Sequence, residues 1–188
     1  MIVLIGGESR TGKTLLSQRL LERVHYPCTS LDHLKMGLIR GWPDCGFTAN
    51  DADDVISQAL WGILKGMIDT CRENKQNLIL EGCYLPPERV CKLSGRDIIA
   101  LYLGFSSGYI RTHFDDIRRY ENVVEQRLSS EQQEVEDYIT AHRALRARCI
   151  ACGLPYFSIQ ENYVLETDTV LQWITKQIGG HDETGNLL

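Results

Sequence analysis

No wholly apolar stretch in these 188 residues approaches the ~20 needed to cross a bilayer, so no transmembrane helix is expected. The opening segment MIVLIGGESR has no basic cluster followed by a long apolar run, so no signal peptide is expected either. Positive charge is in deficit: 20 Lys+Arg stand against 25 Asp+Glu, a formal net charge of −5, with no long basic run. A dedicated duplex-DNA reader needs a basic face, so neither nucleic acid nor a membrane is expected as a partner. Internal repeats and low-complexity segments are also lacking. So is a second C-x-x-C pair. Cys149 and Cys152 have that spacing, but the other five cysteines are scattered at 28, 45, 71, 83 and 91. A zinc site would need the second pair. Without an export signal, the seven cysteines read as reduced thiols of a cytoplasmic protein, packed as small hydrophobes. A redox or metal role for Cys149 and Cys152 is the alternative.

What is present is the composition of a globular chain, 43% hydrophobic and 24% charged. The length fits one domain, which removes roughly 70% of the unfolded chain's surface from water. Ile2–Ile5 is a short apolar run with β-branched residues, the pattern of a strand buried on both faces. After a loop over 6–12, Leu15, Leu16, Leu20, Leu21 and Val24 recur at helical spacing. A second strand is predicted at Cys28–Leu31, then a short helical stretch broken by Gly41, Trp42, Pro43 and Gly46. Residues 51–73 form a long amphipathic pattern, and 77–81 and 98–103 read as buried strands. A short helix is predicted after Pro86 and Pro87. Two long helices are predicted over 107–128 and 130–152, the second opened by a capping box of Ser130 with Gln133 and closed by Gly153 and Pro155. A fifth strand follows at 156–159. Thr167 is the predicted cap of a last helix over 168–178, which Gly179 and Gly180 end, and 181–188 is expected to be a mobile tail.

Strands alternating with helices imply an α/β fold with a parallel sheet covered on both faces. Ligands in such sheets bind beyond the carboxyl ends of the strands. At the first such end stands Gly7-Glu8-Ser9-Arg10-Thr11-Gly12-Lys13-Thr14-Leu15, which fits G-x-x-x-x-G-K-[ST] between a predicted strand and a predicted helix. Glycines let backbone N–H groups turn toward phosphate oxygens, and the helix N-terminus adds its positive dipole end. Lys13 reaches the outer phosphates and Thr14 offers a hydroxyl to Mg²⁺, so Mg²⁺-bound nucleoside triphosphate is the expected ligand. The Asn-Lys-x-Asp base-reading motif of GTPases is absent, which tilts the choice toward ATP. The third strand ends in Glu81, placed to hold Mg²⁺ through water or to touch an acceptor. The second ends in Asp32, placed to orient or deprotonate an attacking hydroxyl, or else to cap the next helix.

With these motifs the sequence resembles the small P-loop kinases. That group includes adenylate kinase-like nucleotide kinases, shikimate and gluconate kinases, chloramphenicol phosphotransferase and 2-phosphoglycerate kinase-like proteins. The likeness covers about residues 1–178 and is carried by GGESRTGKT, by Asp32 at its strand end and by LILEG with Glu81. It implies a three-layer P-loop NTPase fold with a five-stranded parallel sheet in the order 2-3-1-4-5. It also implies a single domain over 1–180 with a helical lid, here about 105–130, and an acceptor-binding region at about 33–60. The implied activity moves the γ-phosphoryl group of Mg²⁺–ATP to a hydroxyl of a small-molecule acceptor. Lid arginines, Arg118 or Arg119 with Arg111 as the alternative, would close on the transferring group, and Lys35 and Arg40 would meet an anionic acceptor. Trp42, Phe47 and Trp61 either line the acceptor pocket or pack in the core. The chain lacks the R-x-D-D-x-x-x-x-[IL]-x-x-R pattern of nucleoside monophosphate kinases. A nucleoside or nucleotide kinase is nonetheless the first rival reading. A nucleotide-binding regulator or slow ATPase is the second.

Overall fold

The computed structural model describes residues 1–42, 44–93, 95–119 and 134–185. In chain order its elements are β1 (Ile2–Gly7), α1 (Lys13–Val24), β2 (Cys28–Ser30), α2 (Leu31–Gly41), α3 (Asp53–Glu73) and β3 (Leu78–Glu81). They continue with α4 (Pro87–Val90), β4 (Ile98–Phe105), α5 (Ser107–Arg119), α6 (Val135–Ala151), β5 (Tyr156–Ile159) and α7 (Tyr163–Gly185). The five strands form one parallel sheet in the order β2-β3-β1-β4-β5, as the resemblance implies. No helix among the described residues is long and apolar enough to cross a membrane.

β1 lies at the centre, and all six of its residues are buried. Its side chains alternate between the two faces. Val3 and Ile5 enter the core beneath α1 and α7, with Leu16, Leu20, Leu171 and Ile174. Ile2 and Leu4 enter the core beneath α3, with Ile56, Leu60, Leu64 and Ile68. Burying each such side chain contributes roughly 1.5–3 kcal/mol, so this two-sided packing fixes where β1 ends and the loop to α1 begins.

Several element boundaries differ from the sequence reading, each for a local reason. Leu31 belongs to α2 and not to the second strand: it is fully buried against α3, and Ser30 is the residue preceding the first turn. Asp32 is therefore the second residue of the helix and not its cap. α7 begins at Tyr163, five residues before Asp168. The Asn162 carboxamide oxygen accepts the Leu165 N–H at 3.0 Å. The Glu166 carboxylate accepts the N–H groups of Gln160, Glu161 and Asn162. These bonds cap the helix, and Thr167 is an interior residue whose hydroxyl donates to the Tyr163 carbonyl at 2.7 Å. The helix also runs through Gly179 and Gly180 to Gly185. Near the middle of the chain, α6 starts at Val135, after Glu134. The predicted Ser130–Gln133 box, the extension of α5 to Leu128 and the last three residues of the tail lie outside the described residues.

α6 carries a buried histidine, His142, 2% exposed. Its Nδ1 accepts the Phe105 N–H at 3.1 Å, so Nε2 carries the ring proton of the neutral form. Phe105 and Tyr138 pack on the ring at centroid distances of 5.7 and 4.5 Å. Burial, with the Lys13 charge acting in the same direction, lowers the imidazole pKa to about 3. An unfolded histidine titrates near ~6.5. Between those values unfolding takes up a proton, so stability that is complete above ~6.5 is lost as pH falls toward 3. The steepest slope from this group is ~1.4 kcal/mol per pH unit. Urea unfolding between pH 7.5 and 4 is expected to show that loss. His142→Asn should flatten the profile by about one proton, and an unchanged slope would mean His142 titrates freely in the folded chain.

Candidate active site

The parallel register brings three strand ends together. Ile5 of β1 and Ser30 of β2 both pair with Glu81, the last residue of β3. The turn from β1 into α1 wraps in front of them. Gly12 precedes α1 with φ +82°, and Arg10 also adopts a left-handed φ of 65°. A Cβ on Gly12 would lie 1.7 Å from the Tyr163 hydroxyl, and one on Gly7 would lie 2.2 Å from the Leu103 carbonyl oxygen. The glycines at these motif positions therefore answer to close approach by α7 and β4 as well as to the turn.

Lys13 is only 6% exposed. Its Nζ donates to the Glu8 carbonyl at 2.6 Å and to Thr11 Oγ1 at 3.5 Å. Thr11 Oγ1 in turn donates to the same carbonyl at 2.9 Å. The Tyr138 hydroxyl donates to the Ser9 carbonyl. That bond draws the Ser9 oxygen to the α6 side of the loop. Glu8, largely buried, has a raised carboxyl pKa because burial outweighs the attraction of Lys13.

Thr14 Oγ1 donates to Glu81 Oε1 at 3.2 Å. Glu81 is 2% exposed, and burial raises its pKa against the opposing pull of Lys13 and the Ser30 and Thr14 hydroxyls. A buried carboxylate and a hydroxyl in contact form a hard-oxygen donor pair, and the carboxylate is short of positive charge. That donor set fits Mg²⁺, which binds through one or two protein oxygens plus phosphates and water.

Across the crevice, Lys35 Nζ lies 3.0 Å from Asp32 Oδ1 and donates to the Tyr84 hydroxyl at 2.7 Å. Asp32 and Lys35 are one turn apart on α2, with side chains 17% and 13% exposed. Burial alone would depress the lysine, but the Tyr84 hydrogen bond and the Asp32 charge outweigh it and raise its pKa. Burial pushes the Tyr84 phenol up to about 12 despite Lys35, so it stays a neutral donor. Beside it, the Cys83 thiol lies 3.5 Å from Ser9 Oγ, and burial raises its pKa.

The structure thus joins Lys13, Thr14 and Glu81 in one cluster and Asp32 and Lys35 in another. Arg40 is exposed, about 12 Å further along the α2 axis than Asp32. Arg118 and Arg119 are exposed at the end of α5, and Arg119 lies 3.7 Å from Asp116 within its own helix. Arg111 pairs with Glu136 at 2.8 Å and ties α5 to α6. Phe47 is a core residue, Trp61 packs on that core with Arg89 over its ring, and Trp42 is exposed. Tyr84, Cys83, Tyr138 and Tyr163 escaped the sequence reading. Tyr84 was findable as the third residue after Glu81 at a strand end. Tyr138 and Tyr163 reach the loop from distant helices and leave no local signal.

No protein-family model matches the chain, and no curated protein matches its sequence. Solved structures do match its fold. A shikimate kinase from Acinetobacter baumannii in complex with shikimate aligns with a TM-score of 0.55 at 17% identity, over 100% of this chain and 94% of that one. A deoxyadenosine kinase from M. mycoides, with products dCMP and dCDP bound, aligns at 0.54 and 13% identity, over 96% and 100%. A shikimate kinase from Aquifex aeolicus aligns at 0.53 and 12% identity, over 97% and 98%. The chain has the α/β fold of the small P-loop kinases.

The contact between Tyr163 and Gly12 is testable by a double-mutant cycle. Gly12→Ala is expected to destabilise the wild type by more than the ~1–2 kcal/mol left-handed backbone cost alone. The excess should vanish in a Tyr163→Ala background. Additive losses in urea unfolding would place Tyr163 away from the loop.

Proposed function

We propose that this protein is an ATP-dependent phosphotransferase that moves the γ-phosphoryl group to a hydroxyl of a small-molecule acceptor. The observation that carries this reading is the pairing of a phosphate-loop cluster, Lys13, Thr14 and Glu81, with a second cluster, Asp32, Lys35 and Tyr84, at neighbouring strand ends. A simple nucleotide-binding switch has no use for the second.

In this reading residues 1–180 act as one domain. The backbone N–H groups of residues 7–15 and Lys13 hold the β- and γ-phosphates. Lys13 exchanges its bond to the Glu8 carbonyl for phosphate oxygens, so the free loop is already folded around the cation. Thr14 and Glu81 would hold Mg²⁺, which when bound screens the phosphate charge. Asp32 orients the acceptor hydroxyl and accepts its proton. Lys35 and Tyr84 also present N–H and O–H donors to an oxygen-rich acceptor, bound by the region about 33–60. Arg40 would meet it only after movement of α2. Arg118 or Arg119, carried on the segment about 105–130, neutralises the developing charge once that segment closes and excludes water. Catalysis is then positioning plus electrostatics. The shikimate kinases of like fold act on a non-nucleotide hydroxyl compound, which supports this acceptor class. The deoxyadenosine kinase of like fold puts nucleosides second.

The decisive experiment measures ADP release from Mg²⁺–ATP with nucleosides, nucleoside monophosphates, sugar acids, phosphoglycerates and hydroxylated antibiotics, against a no-acceptor control. Stimulation by a non-nucleotide hydroxyl compound is expected. Stimulation by nucleosides or nucleotides alone would transfer the proposal to a nucleoside or nucleotide kinase, and a flat panel would favour a regulator or slow ATPase. With the acceptor in hand, Asp32→Asn should lower turnover by about 10²–10⁴-fold while ATP still binds. A wild-type rate would remove Asp32 from the chemistry. Glu81→Gln should raise the Mg²⁺ concentration needed for half-maximal turnover, and an unchanged requirement would remove Glu81 from the metal site.

A further inference from the structure

We propose that Cys91 and Cys152 form a redox-active dithiol that closes to a disulfide between α4 and α6, at the opposite end of the sheet from the phosphate loop. The proposal goes beyond the phosphotransferase reading and does not depend on it. Spacing alone pairs Cys152 with Cys149, but it is Cys91 and Cys152, and not Cys149, that open onto one cavity. Cys149 is fully buried and packs with Tyr102 and Leu145. Cys152 stands at the C-cap of α6, half-buried, and its thiol faces that of Cys91, the exposed residue at the C-cap of α4. Both cysteines line one cavity of about 360 Å³, walled by Leu93, Leu154 and Trp173 and floored by the first residues of β4.

The two helices hold this contact in register. Arg148, one turn before Cys152, makes a two-pronged salt bridge to Glu88, three residues before Cys91, with both N···O distances 2.7 Å. A bidentate pair of this kind fixes orientation as well as distance. The Cys91–Cys152 contact is thus the second rung of a ladder whose first rung is Glu88–Arg148. Among the described residues no group of three or more His, Cys, Asp or Glu is arranged to hold a metal ion, so the pair has no further ligands around it.

The chemistry is a two-electron oxidation by hydrogen peroxide. The Cys91 thiolate attacks one peroxide oxygen, the O–O bond breaks, and Cys91 sulfenic acid and hydroxide form. The Cys152 thiolate then attacks the sulfenic sulfur, the S–O bond breaks, and a second hydroxide leaves. The hydroxides take up the two thiol protons, so two thiols and one peroxide give one disulfide and two waters. The bond would join α4, which follows the Cys83–Tyr84 loop, to α6, which carries Tyr138 to the phosphate loop.

The test treats the folded full-length chain with one equivalent of peroxide, counts thiols, and maps cross-linked peptides by mass spectrometry after alkylation. Two of the seven thiols should be lost, with a mass decrease of about 2 Da and a peptide linking residues 91 and 152. The link should vanish in Cys91→Ser and in Cys152→Ser and persist in Cys149→Ala. It should form equally with and without nucleotide in solution, so failure of the phosphotransferase assay leaves this result untouched. A 149–152 link, single oxidation of Cys91 without a cross-link, or seven surviving thiols would overturn the proposal.

Discussion

A lysine ammonium almost sealed from water sits where the central strand turns into the first helix, and the surrounding architecture answers to it. The Glu8 carbonyl and the Thr11 hydroxyl accept hydrogen bonds from its Nζ, and the carboxyls of Glu8 and Glu81 lie in its field. A buried cation without such partners would be strongly unfavourable. The demand reaches outward. Glu81 needs β3 paired beside β1, and Thr14 needs the first turn of α1 pointing at β3. Gly7 and Gly12 need to be bare because β4 and α7 press on the turn from behind. The same charge also bears on His142, whose neutral state it reinforces.

The loop is braced from outside its own segment. Tyr138 from α6 holds the Ser9 carbonyl, and Tyr163 from α7 stands over Gly12. Arg19 of α1 and Asp168 of α7 form an ion pair along the same flank. On the other side Ser9 meets Cys83, so the loop lies between the helices that follow β4 and β5 and the segment that follows β3. Movement of α6 would therefore be felt in the phosphate loop through one tyrosine hydroxyl.

The crevice holds the carboxylates of Asp32 and Glu81, and Lys13 and Lys35 supply the opposing charge. Each lysine serves one cluster. Lys13 sits in the phosphate loop, and Lys35 is bound to Asp32 and Tyr84. The division is consistent with two ligands entering from two sides. It also explains why burial raises the Glu81 and Tyr84 pKa values: neither lysine fully offsets the loss of water.

Local signals were enough for the five strands, their parallel sense, the loop between β1 and α1 and the place of Glu81 at the end of β3. Period-two and period-3.6 patterns, and glycines at a strand–helix turn, act over a few residues and are written in the chain directly. The order β2-β3-β1-β4-β5 came from the resemblance those motifs carry. What needed the tertiary structure was decided by contacts between distant segments. Leu31 joined a helix because α3 covers it. α7 began early because Asn162 and Glu166 reach back to cap it. Tyr84 entered the Asp32–Lys35 cluster across 49 residues of sequence. Cys91 and Cys152 line one cavity because α4 packs on α6, a contact that the C-x-x-C spacing does not reveal.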